Sequence, residues 1–364
     1  MVKFYMRVVQ KLLRKINAVC YIIINEIDYK HFHCRNYSLM RGAAMKDIVT
    51  IGEILIDLTC RGRENGIPIY NANPGGAPAN VAVAASRLGA DTAFIGKVGK
   101  DYYGDFLRET LRENKVDVSG MLTDDYARTT LAVVSVSETG ERSFSFYRTN
   151  CADVLLRSNE INLDMLADTH FLHFGSVSMT DEPSRTATIY AASKAREFGA
   201  TVTYDPNYRA NLWKSQAQAV ERIKSVLGKV DILKISDEEL PLLTGTDDCV
   251  AGTQSLYNDY GIPLILLTLG ADGAFYRRGD ETGKADGFKV SVADTNGAGD
   301  TFFGAFLSRM AALKIYRPQD LSPEQLYESV RAANLAASIT TSRHGAIPAM
   351  PDLNELEEKM RQEA

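Results

Sequence analysis

From residue 47 onward the chain repeats one unit: a short apolar run, a turn, then an amphipathic stretch. Residues 47–58 (DIVTIGEILIDL) read as a buried strand. Residues 79–88 read as a helix, because Val81, Ala84, Ala85 and Leu88 fall at helical spacing. Residues 92–98 form a second apolar run, and 105–114 carry Phe106, Leu107 and Leu111 on one side of an otherwise charged helix. Further strand-like runs follow at 171–176, 201–205, 232–235 and 264–269. Strands that alternate with helices predict an α/β fold whose mostly parallel sheet is covered on both faces. One region breaks the rhythm. Residues 129–136 and 141–147 read as a β-hairpin around SETG (137–140), with Ser143, Phe144, Ser145 and Phe146 alternating at period two. Residues 59–73 are polar and irregular and are expected to join this hairpin as a lid over one edge of the sheet.

Composition narrows the function classes. The 364 residues are 45% hydrophobic and 24% charged, enough for a large core and against disorder of the whole chain. The net charge of −5 argues against a nucleic-acid partner. No apolar run reaches the roughly 18–20 residues of a membrane span, so no membrane partner is expected. Residues 1–44 differ from the rest: eight Lys/Arg against two acids give +6, leaving the remainder at −11. A targeting peptide, an accessory helix and residues upstream of a functional start at Met45 are the three readings. The last is favoured, because MKDIVTIG from Met45 begins like a first core strand. The five cysteines are scattered without a C-x-x-C pair, which predicts reduced thiols and a cytoplasmic protein. His31, His33 and Cys34 lack a second ligand cluster, so no zinc site is expected.

Two motifs can carry chemistry. DTNGAGD (294–300) follows a strand-like stretch at 288–292 and opens a helix in which Phe303, Phe306, Leu307 and Met310 share a face. A Gly-Ala-Gly turn at a helix start exposes backbone N–H groups that bind anions, phosphate first among them. The plainer reading is a tight turn with Asp300 as an N-terminal helix residue. The pattern fits neither G-x-G-x-x-G, since Phe302 replaces the last glycine, nor a P-loop. The second motif, NPGGAPAN (73–80), precedes the helix at 79–88. Its paired glycines allow close approach of a ligand, and Asn80 can both donate to and accept from a polyol hydroxyl. A simple loop is the plainer alternative. Asp57 closes the first core strand, at the strand end where α/β folds bind ligands.

These motifs, in this order and more than 200 residues apart, resemble the two signatures of PfkB or ribokinase-like carbohydrate kinases, over residues 45 to about 351. FIGKVG (94–99), FYR (146–148), HFGS (173–176), YDPNYR (204–209) and KISDEE (234–239) are most similar to fructokinases. The resemblance implies a three-layer α/β/α ribokinase-like fold over 45–364, with 1–44 as an extension and a small β lid from about 59–73 and 126–150. It implies ATP-dependent transfer of the γ-phosphate to a hydroxyl of fructose. Asp300 then matches the general base, and Gly297, Ala298 and Gly299 match the anion hole. Asp57, Gly75, Gly76, Asn80, Phe146, Arg148 and Arg209 match sugar-side positions. Ser236, Thr268, Gly270, Gly273, Asn334 and Gly345 match the ATP side. Glu239 matches an acid linked to Mg²⁺ through water, although Ser236 replaces the usual asparagine. Asp294 matches a contributor to a K⁺ site, although Asn296 stands where threonine is usual. The expected partners are a small sugar, ATP and a second copy joined through the lid. A 2-keto-3-deoxygluconate kinase is the alternative enzyme, since Arg148 and Arg209 suit a carboxylate; ribose or nucleoside kinases follow. An inactive sugar sensor is the alternative class, and the intact Asp300 and Gly-Ala-Gly argue against it. Trp213, Tyr208, His170 and His173 are expected to pack rather than to react, and 352–364 to form a solvated terminal helix.

Overall fold

The structure is a computed structural model that describes residues 45–136 and 142–363. The readings made for residues 1–44, and the SETG turn of the hairpin, lie outside the described residues. The strands are β1 (Lys46–Ile51), β2 (Leu55–Glu64), β3 (Ile67–Gly75), β4 (Thr92–Gly99), β5 (Asp117–Asp124), β6 (Leu131–Val136), β7 (Arg142–Tyr147), β8 (Thr169–Gly175), β9 (Thr201–Asp205), β10 (Ile232–Ser236), β11 (Leu264–Thr268), β12 (Ala274–Arg278) and β13 (Glu281–Ala285). The helices are α1 (Ala77–Arg87), α2 (Tyr102–Glu113), α3 (Leu163–Ala167), α4 (Ser184–Glu197), α5 (Gln216–Leu227), α6 (Glu239–Thr244), α7 (Cys249–Tyr260), α8 (Ala298–Ala312), α9 (Pro323–Thr341) and α10 (Leu353–Gln362).

Nine strands form the main sheet in the order β13-β12-β11-β10-β9-β8-β1-β4-β5. Strands β5 through β11 of that order run parallel, and β12 and β13 add an antiparallel edge. The parallel strands are apolar on both faces because both faces are covered. On one side Leu172, Val202, Leu233 and Ile265 pack with Ala187, Ala191, Ala219 and Ile223 of α4 and α5. On the other, Ile48, Phe171, Ile232 and Leu266 pack with Phe302, Phe306, Leu326 and Val330 of α8 and α9. Trp213 and His173 are buried, as their packing reading required, and His170 stacks on Tyr316 with ring centroids 3.5 Å apart. Helix α10 is capped by Asp352 and buries only Leu356.

A second sheet, β3-β2-β6-β7, stands beside the first. Three sequence readings are corrected. Residues 47–58 are two strands, not one. The chain leaves the main sheet at Gly52 to Ile54, where the buried Glu53 carboxylate accepts a hydrogen bond from the Ala77 amide at 3.1 Å. Apolar residues on both sides hide that exit, because Ile54 and Ile56 are buried again in the core around α1. Residues 59–73 are a regular hairpin, not an irregular segment. Asn65 and Gly66 both have positive φ, 51° and 81°, which matches a two-residue turn of the hairpin type. The strands looked irregular because residues 61–70 are exposed, so no apolar alternation marks them. Residues 288–292 form no strand. The chain there runs past the end of β13, and the next backbone anchor is the Ala293 amide on the Thr341 carbonyl.

Candidate active site

Strand order turns around at the β1/β8 pair: the chain moves from β1 outward to β4 and β5, then returns to β8 and moves the other way. The crevice beyond the carboxyl ends of such a pair is where open α/β sheets bind ligands. Five strand ends converge there, those of β1, β8, β9, β10 and β11, delivering Glu53, Asp205, Ser236 and Thr268 to one rim.

The two glycine motifs meet at this rim through helix packing. Helix α8 crosses α1 where Gly304 faces Ala84; a Cβ at Gly304 would come 2.7 Å from the Ala84 Cβ and 2.9 Å from the Val81 carbonyl. One turn back along each helix lie Asp300 and Asn80. Asn80 Nδ2 donates to Asp300 Oδ2 at 2.8 Å across 220 residues of sequence. Both are buried, and Asn80 Oδ1 has no hydrogen-bond partner among the described residues. Burial pushes the Asp300 carboxyl up to about 6, with Asp205 adding to the shift and Asn80, Lys234 and Arg209 opposing it. Asp57, on β2 opposite Asn73, is pushed up to about 6 by burial; a hydrogen bond from Asn296 and the Arg209 charge oppose the shift, while Asp300 and Asp294 add to it. Gly75 lies against the Asp57 carboxylate, and Gly76 precedes α1 at its N-cap. Asp57, Gly75, Gly76, Asn80, Arg209 and Asp300 are therefore brought close together.

Helix α8 starts at Gly297, whose φ of +75° and ψ of 1° turn the chain into the helix. The first turn of an α-helix leaves amides without intrahelical acceptors. Thr301 is the first to bond back, to the Gly297 carbonyl at 2.8 Å. The Gly299 and Asp300 amides have no protein acceptor among the described residues. Gly299 lines a cavity of about 420 Å³, together with Thr268, Gly270, Gly273, Ala298 and Asn334 and with Phe288, Val290 and Val292 from the segment that forms no strand. Asn334 is fixed there by donating to the Ala285 and Asp286 carbonyls at 2.9 and 3.2 Å.

Other expected site residues sit differently. Arg148 is buried and fully engaged: Nε donates to Asp153 at 2.6 Å, Nη1 to Thr180 at 2.6 Å and Nη2 to the Val177 carbonyl at 3.0 Å. Phe146 lies on β7 opposite Ala132 and lines a separate hollow with Leu131 and Cys151. Glu239 accepts the Tyr208 and Ser236 amides at 2.7 and 2.9 Å, so its carboxylate clamps two strand-end turns. Burial and Asp205 raise its pKa. Asp294 accepts the Asn296 and Gly345 amides, at 2.8 and 3.1 Å, and ties the α8 entry loop to the 345 turn. Gly345 thus supports the loop and does not line the cavity.

Three residues at the rim escaped the sequence reading: Glu53, Asp205 and Lys234. Glu53 Oε2 is buried without a hydrogen-bond partner among the described residues, and burial lifts this carboxyl to about 7. Lys234 and Asp205 form a buried ion pair at 3.0 Å. Only Asp205, at the carboxyl end of the 201–205 run, carries the signal that marks Asp57; Glu53 and Lys234 lie inside apolar runs.

A doubly covered sheet, a buried carboxylate beside helix-start amides without acceptors among the described residues, and an adjoining cavity form a candidate site for phosphoryl transfer. The chain matches the pfkB family of carbohydrate kinases over residues 45–353 and belongs to that family. It is 43% identical over 312 residues to probable fructokinase-2 of Arabidopsis thaliana, covering 84% of this chain and 92% of the relative. The crystal structure of fructokinase from Xylella fastidiosa with bound ATP superposes with a TM-score of 0.80 at 34% identity, covering 88% of this chain and 99% of that one. Fructokinase from Vibrio cholerae, in a form with fructose, ADP and calcium ion bound, gives 0.78 at 34% identity over 87% and 99%. Among the described residues no helix is long and apolar enough to cross a membrane.

Proposed function

We propose that the protein is an ATP-dependent fructokinase whose base is Asp300. The observation that carries this reading is the Asn80–Asp300 hydrogen bond, which brings the NPGGAPAN and DTNGAGD motifs into contact. A sugar hydroxyl is a weak acid and needs an adjacent acceptor for its proton. Asp300 takes that proton while the hydroxyl oxygen bonds to the γ-phosphorus of ATP. The bond from the γ-phosphorus to the bridging oxygen breaks, and ADP leaves. The Gly299 and Asp300 amides, with the α8 dipole behind them, hold the charge that spreads over the moving phosphoryl group. Asp57, Asn80 Oδ1 and the glycine turn at 75–76 bind the sugar, and Arg209 balances the two carboxylates. ATP occupies the cavity lined by Thr268, Gly270, Gly273 and Asn334.

Mg²⁺ would neutralise phosphate charge. Both oxygens of Glu239 already accept backbone amides, so this side chain fits the role of reaching the ion through water rather than as a ligand. Asp294 is likewise a clamp, each of its oxygens accepting one backbone amide. The β3-β2-β6-β7 sheet is the lid, closing over bound sugar to exclude water. Its exposed Ile67, Ile69 and Tyr70 suit pairing with a second copy. The protein acts in the cytoplasm.

Arg148 separates fructose from a sugar acid. Its guanidinium faces Asp153, Thr180 and the Val177 carbonyl, so its charge is already answered and gives a substrate carboxylate little to bind. With ATP and Mg²⁺, a panel of fructose, 2-keto-3-deoxygluconate, ribose and adenosine is expected to give turnover on fructose at least tenfold above the others. Turnover highest on the sugar acid would overturn the choice.

The pH dependence follows from the two raised carboxyls. The base must be ionised, and a carboxyl titrating near 6 is protonated below that pH. The kcat/KM for fructose is therefore expected to rise with pH through about 6 and to fall steeply below it, where both Asp57 and Asp300 carry protons. A limb near pH 4 would show that neither burial-raised group governs the reaction.

A further inference from the structure

We propose that Lys234 is a positioning residue of the phosphoryl transfer, a fixed buried charge shared between the base and the phosphate-binding amides of α8. The inference rests on the kinase reading of the site and adds a residue to it. On β10, Leu233 and Ile235 face the core with α4 and α5, so alternation turns Lys234 to the α8 side. Its neighbours on that face are Ile232 and Leu266, and 6% of the residue is exposed. Burying a lone ammonium costs several kcal/mol. Asp205 answers the charge at 3.0 Å and is itself fixed by the Asn207 amide, which donates to its other oxygen at 3.0 Å.

The position of the ammonium is the informative part. A Cβ on Gly299 would lie 2.9 Å from Lys234 Nζ, so the ammonium presses against the first turn of α8. A cation is the wrong charge for a helix N-terminus, which favours anions. Two positive ends meeting at one buried point make sense where an anion arrives between them, and the amides of Gly299 and Asp300 are the open donors there. Merely to fill the core, a methionine here with an uncharged residue at position 205 would do.

The groups that face Asp300 are Asn80 from α1, Asp205 from β9, Arg209 from the turn after β9, Lys234 from β10 and Asp57 from β2. Arg209 is half-buried and open to screening, whereas Lys234 acts through a drier medium. Burial works against the charge on Lys234, but Asp205, Glu239 and Asp300 outweigh it and hold its pKa above the ordinary value. Lys234 therefore stays protonated through the working range.

Lys234→Met tests the assignment through kcat, both KM values and the pH profile. Turnover is expected to fall roughly 10–10²-fold, the acid limb of kcat/KM to move up by about one pH unit, and the fructose KM to stay within about threefold. A merely structural lysine would lower the folded fraction without moving the limb. Since Lys234→Met strands Asp205, the double variant Lys234→Met/Asp205→Asn is made alongside, removing both charges. It is expected to fold, to return the limb toward its original position and to keep the reduced turnover. An unmoved limb in the single variant, or full turnover in the double one, overturns the inference. Asp300→Asn run in parallel keeps the two ideas apart. If it retains turnover, the base itself is wrong; if it is dead while the Lys234→Met limb is unmoved, only the role of Lys234 fails.

Discussion

Asp300→Asn is expected to give a folded protein that binds fructose and ATP but turns over roughly 10²–10⁴-fold more slowly. The amide keeps the shape of the carboxyl, and its oxygen can still accept from Asn80, so the contact that closes α8 onto α1 survives. It also removes a carboxylate that burial already penalises, while Lys234 retains Asp205 as its partner. Stability should therefore change little. What the amide cannot do is take up a proton at neutral pH. The loss belongs in kcat, with the fructose affinity measured by calorimetry within a few-fold of the original protein. Release of ADP with and without fructose is the readout. Undiminished turnover would remove Asp300 from the chemistry and leave the Asn80–Asp300 pair as packing.

The same pair shows how far the sequence could be read. The alternation of apolar runs and helical stretches was enough for a parallel sheet covered on both sides, because doubly buried strands have no polar face to confuse the pattern. It failed where burial alone does not define an element. The exit of the chain at Gly52 to Ile54 is hidden in the sequence, since Thr50 and Glu53, the polar residues between Ile48 and Ile56, are themselves buried. The hairpin β2–β3 carries no alternation because water covers both faces past Thr59, yet its Asn65-Gly66 turn was legible and went unread. The site divided along a similar line. Asp300, Asn80, Asp57 and the glycines announced themselves by spacing around turns. Asp205 and Lys234 lie inside strands, and only the three-dimensional pairing reveals that their charges meet. Arg148 is the converse: a sequence match pointed it at the substrate, and its neighbours Asp153 and Thr180 hold it in the framework.

Gly297→Ala, one residue outside helix α8, is expected to be the second most damaging small change. Gly297 has a φ of +75°, where an alanine costs roughly 1–2 kcal/mol. Its added methyl would also stand 2.8 Å from the Ala346 Cβ and 3.0 Å from the Ala346 Cα, closer than carbon atoms pack. Ala346 is buried, and the Gly345 amide beside it is pinned to Asp294, which also holds the Asn296 amide. Neither side of this contact is free to yield, so the relief must come from a shift of the first turn of α8. That turn carries the Gly299 and Asp300 amides and sets where the Asp300 carboxylate points. Misplacing preorganised donors of this kind costs roughly 10²–10³-fold in kcat, and the KM for ATP should rise with it. The fructose KM should change less, because Asp57, Gly75 and Gly76 belong to other elements. Gly228→Ala is the control: Gly228 has a φ of −66° and nothing within 4 Å of a Cβ, so it should behave as the unchanged protein. If Gly297→Ala retains turnover within about threefold while lowering thermal stability as the backbone cost requires, the helix start is a structural joint and the phosphoryl group must be held by other donors.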